Sequence, residues 1–235
     1  MSIEVSKLSF SYGDHLIFDD ISFTAYDNQL LSIIGSNGAG KSTMFRCILG
    51  LLNGYKGKVL FNGIDIKGLS AKEMAKLVAY IPQSHYPSFN FSVFDMVLMG
   101  TTTQVSSIAS PGKKQIKLAL AALERMGIEH LKNRGYTHIS GGERQLVLIA
   151  RALVQEAKVL IMDEPTANLD FGNQVRVMSE IKSLTRDGYT IIQSTHNPEQ
   201  AFQFSDAVLA LKNGKILASG APTDIFTEPL IHTLY

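Results

Sequence analysis

The 235 residues contain no tryptophan, a single cysteine, no surplus of either charge and no long apolar run, and each shortage closes off an explanation. One thiol, Cys47, cannot form an intrachain disulfide or a cysteine metal cluster. On the apolar face of a helix it reads as buried and inert, which fits a reducing, intracellular setting. Lysine and arginine number 22 against 21 acidic residues. That balance gives no basic field to hold nucleic acid, so no nucleic-acid partner is expected, and there is no acidic tail. No stretch approaches the about 18 apolar residues of a membrane span, and Met1-Ser2-Ile3-Glu4-Val5 lacks a basic-then-apolar export signal. The expectation is a polypeptide soluble by itself, which docks on other subunits if it works at a membrane. The length suits one large α/β domain or a core carrying a smaller insert, and the second is expected.

What is present centres on Gly35-Ser36-Asn37-Gly38-Ala39-Gly40-Lys41-Ser42-Thr43, between the apolar run Leu30 to Ile34 and the run Met44 to Leu52. It reads as strand, glycine loop, helix. Glycines let the backbone turn tightly with its N–H groups inward, and the helix aims its positive end at the same place, a setting suited to a polyphosphate. Lys41 can then reach the terminal phosphates, and the Ser42 hydroxyl can ligate a magnesium ion shared with them.

Around this loop the chain alternates strand and helix patterns. Ile3 to Phe10 and Leu16 to Tyr26 alternate as a small antiparallel sheet, with Tyr12-Gly13-Asp14 at its turn. Tyr12 can stack on a nucleotide base there, although plain turn packing is the commoner reason for an aromatic in a turn. Lys58 to Phe61 and Leu77 to Ile81 read as strands separated by Asn62-Gly63 and a helix from Ser70 to Lys76. The second ends at Pro82-Gln83, where Gln83 closes an expected central strand. From Ser84 to His138 the pattern is helical only: Val93, Met96 and Val97 recur at helical spacing. A Ser/Thr-rich loop runs from Thr101 to Ser110, and Pro111 opens a helix with Ile116, Leu120 and Leu123 on one apolar face.

Ile139-Ser140-Gly141-Gly142-Glu143 leads into a helix with Leu146, Ile149, Ala150 and Leu153 at i, i+3, i+4, i+7. Ser140 and Glu143 have capping-box spacing, yet two consecutive glycines also expose N–H groups at a second positive helix end. A second anion site makes sense if it faces nucleotide held by another copy of the chain. Val159 to Met162 is continuously apolar, as in a strand buried on both faces, and runs into Asp163-Glu164-Pro165. Asp163 is placed to hold magnesium and Glu164 to polarise a water attacking the γ-phosphate. Tyr189 to Thr195 is a further strand leading to His196, and Leu209 to Leu217 a hairpin turning at Asn213-Gly214. Thr223 to Tyr235 reads as a short terminal helix.

The ordered set resembles the ATP-binding cassette of ABC transporters over essentially the whole chain. Tyr12 matches the A-loop aromatic, Gly35 to Thr43 the Walker A loop and Gln83 the Q-loop. Ile139 to Glu143 matches the signature motif, Val159 to Asp163 Walker B with Glu164 as catalytic carboxylate, Ala167-Asn168-Leu169-Asp170 the D-loop, and His196 the switch histidine. Glu143 departs from the commoner glutamine and must turn away from a γ-phosphate, toward its own helix start as the capping spacing suggests. The resemblance implies an α/β fold: a P-loop NTPase core with a mainly parallel sheet and an N-terminal antiparallel β subdomain, spanning 1–83 and 139–235. An all-helical subdomain is inserted at 84–138. It further implies ATP and Mg2+ as ligands, Gln83 and His196 assisting Glu164, and Gln83 joining Ser42 and Asp163 at the metal. Ser140, Gly141, Gly142 and Asp170 would then serve nucleotide sandwiched against a second copy.

Separate membrane permease subunits, an exported substrate-binding protein and a peripheral place on the inner membrane face are implied too. Gly63 to Ile66, Phe91 to Val93, Val97 to Gly100 and the tail from Gly220 look most like bacterial importer cassettes for iron chelates, haem, cobalamin or metal oxyanions. Thr101, where many of those carry arginine, leaves the cargo open. The competing class is a non-transport ABC protein that uses ATP binding as a dimerisation switch; a compact single cassette without a basic arm favours transport.

Overall fold

The computed structural model describes residues 2–83, 89–104 and 110–234. The start of the expected helical stretch at Ser84, half of the expected loop over Thr101 to Ser110, and Tyr235 lie outside them. The first sheet is antiparallel. Strand β1 (Ile3–Tyr12) folds back on β2 (His15–Ala25) through Gly13-Asp14, and β4 (Lys56–Phe61) and β5 (Ile64–Asp65) complete the order β2-β1-β4-β5. Tyr12 is thus the last strand residue, paired with His15, rather than a turn residue.

The second sheet holds the chemistry. Its order is β10-β9-β3-β8-β7-β6, from β3 (Leu30–Ile34), β6 (Val78–Ile81), β7 (Val159–Asp163), β8 (Thr190–Thr195), β9 (Ala207–Lys212) and β10 (Lys215–Gly220). All neighbours are parallel except the β9–β10 hairpin. The period-two alternation of a strand sends successive side chains to opposite faces. Val159 and Ile161 accordingly pack with the antiparallel sheet and α1 (Lys41–Ile48), whereas Leu160 and Met162 pack under the helices. Burial on both faces is why β7 has no polar position before Asp163.

The helical layer comprises α3 (Val93–Leu98), α4 (Lys113–Arg125), α5 (Gly141–Leu153) and α6 (Phe171–Arg186), sharing one cluster with that face of the sheet. α5 is buried nearly all round, Gln145 to Ala150 included, because α3, α4, α6 and β6 enclose it, so its one-sided sequence stripe understates its burial. In α4 the expected face is rotated: Ala119, Ala122 and Leu123 are buried, while Ile116 is exposed and Leu120 half-buried. Small alanines let α4 lie close to its neighbours, and apolar character alone misassigned the stripe.

Helix ends follow local chemistry. α1 stops at Ile48 rather than Leu52, because Gly50 takes a left-handed φ of 67° and the Gly50 and Leu51 amides bond back to Cys47 and Arg46 carbonyls. Cys47 is fully buried, and burial pushes its thiol up to about 12. Ser70 caps α2 (Ala71–Leu77) in a box with Glu73. The tail forms two short helices, α8 (Pro222–Ile225) and α9 (Glu228–Leu234), because Pro222 and the Thr227-Glu228-Pro229 step each set a new start.

Gly100 gives a packing test. Met99–Gln104 forms a 3-10 turn against α5, and a Cβ on Gly100 would stand 2.1 Å from the Arg151 carbonyl oxygen and 2.6 Å from Val154 Cγ2. Gly100→Ala is expected to lower stability by about 1–3 kcal/mol through overpacking. Urea unfolding reads it as a lower midpoint at constant m, and an unshifted midpoint contradicts this packing.

Candidate active site

Four loops leave the carboxyl ends of β3, β6, β7 and β8 side by side, the edge where open α/β sheets place ligands. After β3 the glycine loop needs left-handed backbone at Gly38 (φ 82°) and Gly40 (φ 99°), which only glycine adopts without strain. It borders a cavity of about 340 Å³ lined by Asn37, Gly38, Ala39, Gly40, Lys41, Ser42 and Thr43, with Ile17, Gln83 and Glu164 closing the rim. Gly35 lies beneath: a Cβ there would stand 2.3 Å from the Leu211 carbonyl oxygen.

Lys41 is only 5% exposed and donates to the carbonyls of Gly35 (2.8 Å) and Ser36 (3.1 Å). Its ammonium is 3.8 Å from Glu164 Oε1. Burial lowers its pKa, while the charges of Glu164 and Asp163 oppose that shift.

Glu164 is the meeting point. Its Oε2 accepts from Gln83 Nε2 at 3.2 Å and stands 3.1 Å from His196 Nδ1, with Oε1 toward Lys41. Its backbone is left-handed (φ 46°), unusual for a residue other than glycine. Asp163, 5% exposed, ends β7 and accepts a 2.6 Å bond from Ser194 Oγ. Burial, then the Asp163 charge, pushes the Tyr80 phenol up to about 12. Gln83 follows β6, which is the sheet's edge strand and not a central one. Beyond His196, Asn197 caps α7 (Pro198–Phe204) and Gln200 Oε1 accepts from Thr166 and Thr195, tying the β7 and β8 loops together.

Ser42, Asp163 and Gln83 offer hydroxyl, carboxylate and carboxamide oxygens. This hard, mostly neutral set suits Mg2+, which takes one or two carboxylates and completes its octahedron with phosphate and water. Among the described residues no group of three or more His, Cys, Asp or Glu side chains is placed to hold a metal by itself.

The remaining candidates stand apart from the cavity. Tyr12 is 45% exposed and held edge-on by Phe10, with centroids 4.9 Å apart. Ser140 N-caps α5: its Oγ accepts the Glu143 amide, and Glu143 Oε2 accepts the Ser140 amide at 2.8 Å. Those bonds hold the Glu143 carboxyl below its usual range and turn it to its own helix start, as the sequence suggests. Gly141 and Gly142 pack on the start of α6, where Cβ atoms would meet Leu169 at 3.1 Å and Asn173 at 2.5 Å. Asp170 caps that helix through Asn173, at 2.9 Å to its amide and 2.6 Å to its side chain, which lowers the carboxyl's pKa.

Sequence reasoning missed Ile17 and Ser194. Ile17 looks like any apolar position of an alternating strand. Ser194 carries a readable signal: polar Gln193-Ser194-Thr195 within a wholly buried strand demands an internal hydrogen-bond network.

Residues 18–167 match the family model described as ABC transporter. An uncharacterized ABC transporter ATP-binding protein of Haemophilus influenzae is 44% identical across 90% of this chain and 80% of its own length. A Helicobacter pylori protein described as a probable iron chelatin transport ATP-binding protein is 40% identical across 100% of this chain and 93% of its own. Among solved structures, cbiO1 of Clostridium perfringens, part of the ABC transporter complex cbiONQ, superposes with a TM-score of 0.86 at 31% identity. That match covers 97% of this chain and 92% of that one. Glycine loop, paired acidic strand end and following histidine thus coincide with a family match over most of the chain, which belongs to the ABC transporter family, among its ATP-binding subunits.

Proposed function

We propose that this chain is the Mg2+-dependent ATPase subunit of a bacterial importer, with an iron chelate as the favoured cargo class. The observation that carries it is the convergence of Lys41, Gln83 and His196 on one carboxylate, Glu164, at the rim of the glycine-loop cavity. Three donors or cations can hold Glu164 where a water would lie against the γ-phosphate. The loop from Gly35 to Thr43 wraps the phosphates with backbone N–H groups and Lys41, and Tyr12 offers its exposed ring to the base. Ser42, Asp163 and Gln83 would hold Mg2+, which would supply positive charge against the charge developing on the phosphates. Glu164 takes the proton of the attacking water, and His196 keeps that carboxylate oriented.

In this reading residues 84–138 form a helical arm between 1–83 and 139–235 and grip separate membrane permease subunits from the cytoplasmic side. An exported binding protein supplies cargo. The iron chelate class rests on the Helicobacter relative. Ser140, Gly141, Gly142 and Asp170 lie off the cavity of their own chain, so they serve a nucleotide on a second copy.

The test is complementation between two inactive chains. Lys41→Ala spoils the glycine loop and Ser140→Arg fills the signature; their mixture forms heterodimers with one intact composite site. ATPase is expected to recover to a fraction of wild type, up to about one quarter if pairing is random and sites act independently. Normal activity in Ser140→Arg alone overturns the role in trans.

A further inference from the structure

We propose that Ser194 is a positioning residue that locks the metal-binding carboxylate and the backbone of the base residue into one unit; this rests on the roles proposed above for Asp163 and Glu164. Its side chain is fully buried on β8, directly across the parallel ladder from Asp163. One hydroxyl has a single proton to donate and lone pairs to accept. Here the proton goes to Asp163 Oδ1 at 2.6 Å, and the oxygen accepts the Glu164 backbone N–H at 2.9 Å.

Both halves matter because of where the ladder stops. β7 and β8 stay in register to the Asp163–Ser194 pair and no further. At Glu164 the backbone turns to φ 46°, so its N–H leaves the strand geometry and the Ser194 hydroxyl takes it instead. The same oxygen that fixes this turn orients the Asp163 carboxylate, so that carboxylate and the Glu164 backbone cannot move independently without breaking one bond. His196 lies two residues on, just past the end of β8, and its Nδ1 stands 3.1 Å from Glu164 Oε2. Ser194 therefore references the metal ligand and the backbone of the base to the end of the strand that leads into the histidine. A charge-assisted O–H···O bond is short and directional, and groups that orient metal ligands in this way typically contribute 10–100-fold to activity or metal affinity.

Ser194→Ala, Ser194→Val and Ser194→Thr separate the hydroxyl from the space it fills. Thr keeps the hydroxyl and Val is its near-isostere without one. Ala and Val are expected to lower kcat by about 10–100-fold with KM for ATP changed by less than about 3-fold, and Thr to restore kcat to within about 3-fold of wild type. A binding readout accompanies activity. A fluorescent ATP analogue titrated with Mg2+ and with EDTA should show unchanged affinity in EDTA, and a gain from Mg2+ reduced about 10-fold in Ala and Val only.

Glu164→Gln run in parallel distinguishes the failures. If it hydrolyses ATP normally, the site reading itself is wrong. If it is inactive while Ser194→Val keeps wild-type kcat and Mg2+ gain, the positioning role alone is wrong. Activity that falls only in proportion to folded protein, by unfolding midpoint, or a Thr variant as impaired as Val, also overturns it.

Discussion

Lys41→Ala is expected to lose ATP affinity by about 10²–10⁴-fold while its affinity for adenosine stays within about twofold of wild type. The figure follows from two charge-assisted contacts, to the β- and γ-phosphates, at about 1.5–3 kcal/mol each. The local geometry supports assigning the loss to phosphate recognition. The ammonium sits under the glycine loop with the Gly35 and Ser36 carbonyls at 2.8 and 3.1 Å, while Tyr12, the candidate base contact, does not line that cavity. Removing the charge also takes away the Lys41 ammonium 3.8 Å from Glu164, so the empty protein changes too. Comparing two ligands in each protein cancels that effect, since adenosine experiences the altered protein without the phosphates. Isothermal titration of both ligands measures it, and equal losses mean that Lys41 is not at the phosphates.

How much of this site is legible in the sequence depends on how local its demands are. Gly38 and Gly40 announce themselves because their positive φ values allow little else, and β7 because burial on both faces leaves no polar position before Asp163. Glu143 is legible for the same reason: the capping box fits within one helical turn. Gln83 shows where locality ends. Leu77 to Ile81 is as apolar as a central strand, yet β6 is an edge, apolar because Ala79 and Ile81 face the cluster around α5 while Val78 faces the opposite one. Ser194 depends on a register across β7 and β8 that separates partners by 31 residues in sequence. Ser140 and Asp170 are the reverse case: motif spacing marks them, whereas their local bonds are those of ordinary helix caps, and a role beyond capping requires a second chain.

Glu164→Gln is the variant that separates an engine from a passive ATP-binding module, and hydrolysis is expected to fall by about 10²–10⁴-fold, the scale of a general base. The substitution keeps size and reach but removes the negative charge that can accept a proton from water. It keeps a carbonyl oxygen for Gln83 Nε2, which stands 3.2 Å from Oε2, and leaves the backbone bond to Ser194 untouched. The turn at φ 46° should survive, because glutamine and glutamate have the same backbone requirements there. Binding is therefore expected to persist: the glycine loop and Lys41 are intact, and one negative charge near the γ-phosphate has gone. If ATP joins two copies and hydrolysis parts them, the variant should accumulate as an ATP-bound dimer under conditions where wild type runs mainly as monomer. Gel filtration with ATP and Mg2+, beside phosphate release, reads both consequences from one preparation. Wild-type turnover in Glu164→Gln removes Glu164 as the base. A silent wild type, even with the proposed permease subunits added, moves the chain to the class that uses ATP binding as a switch.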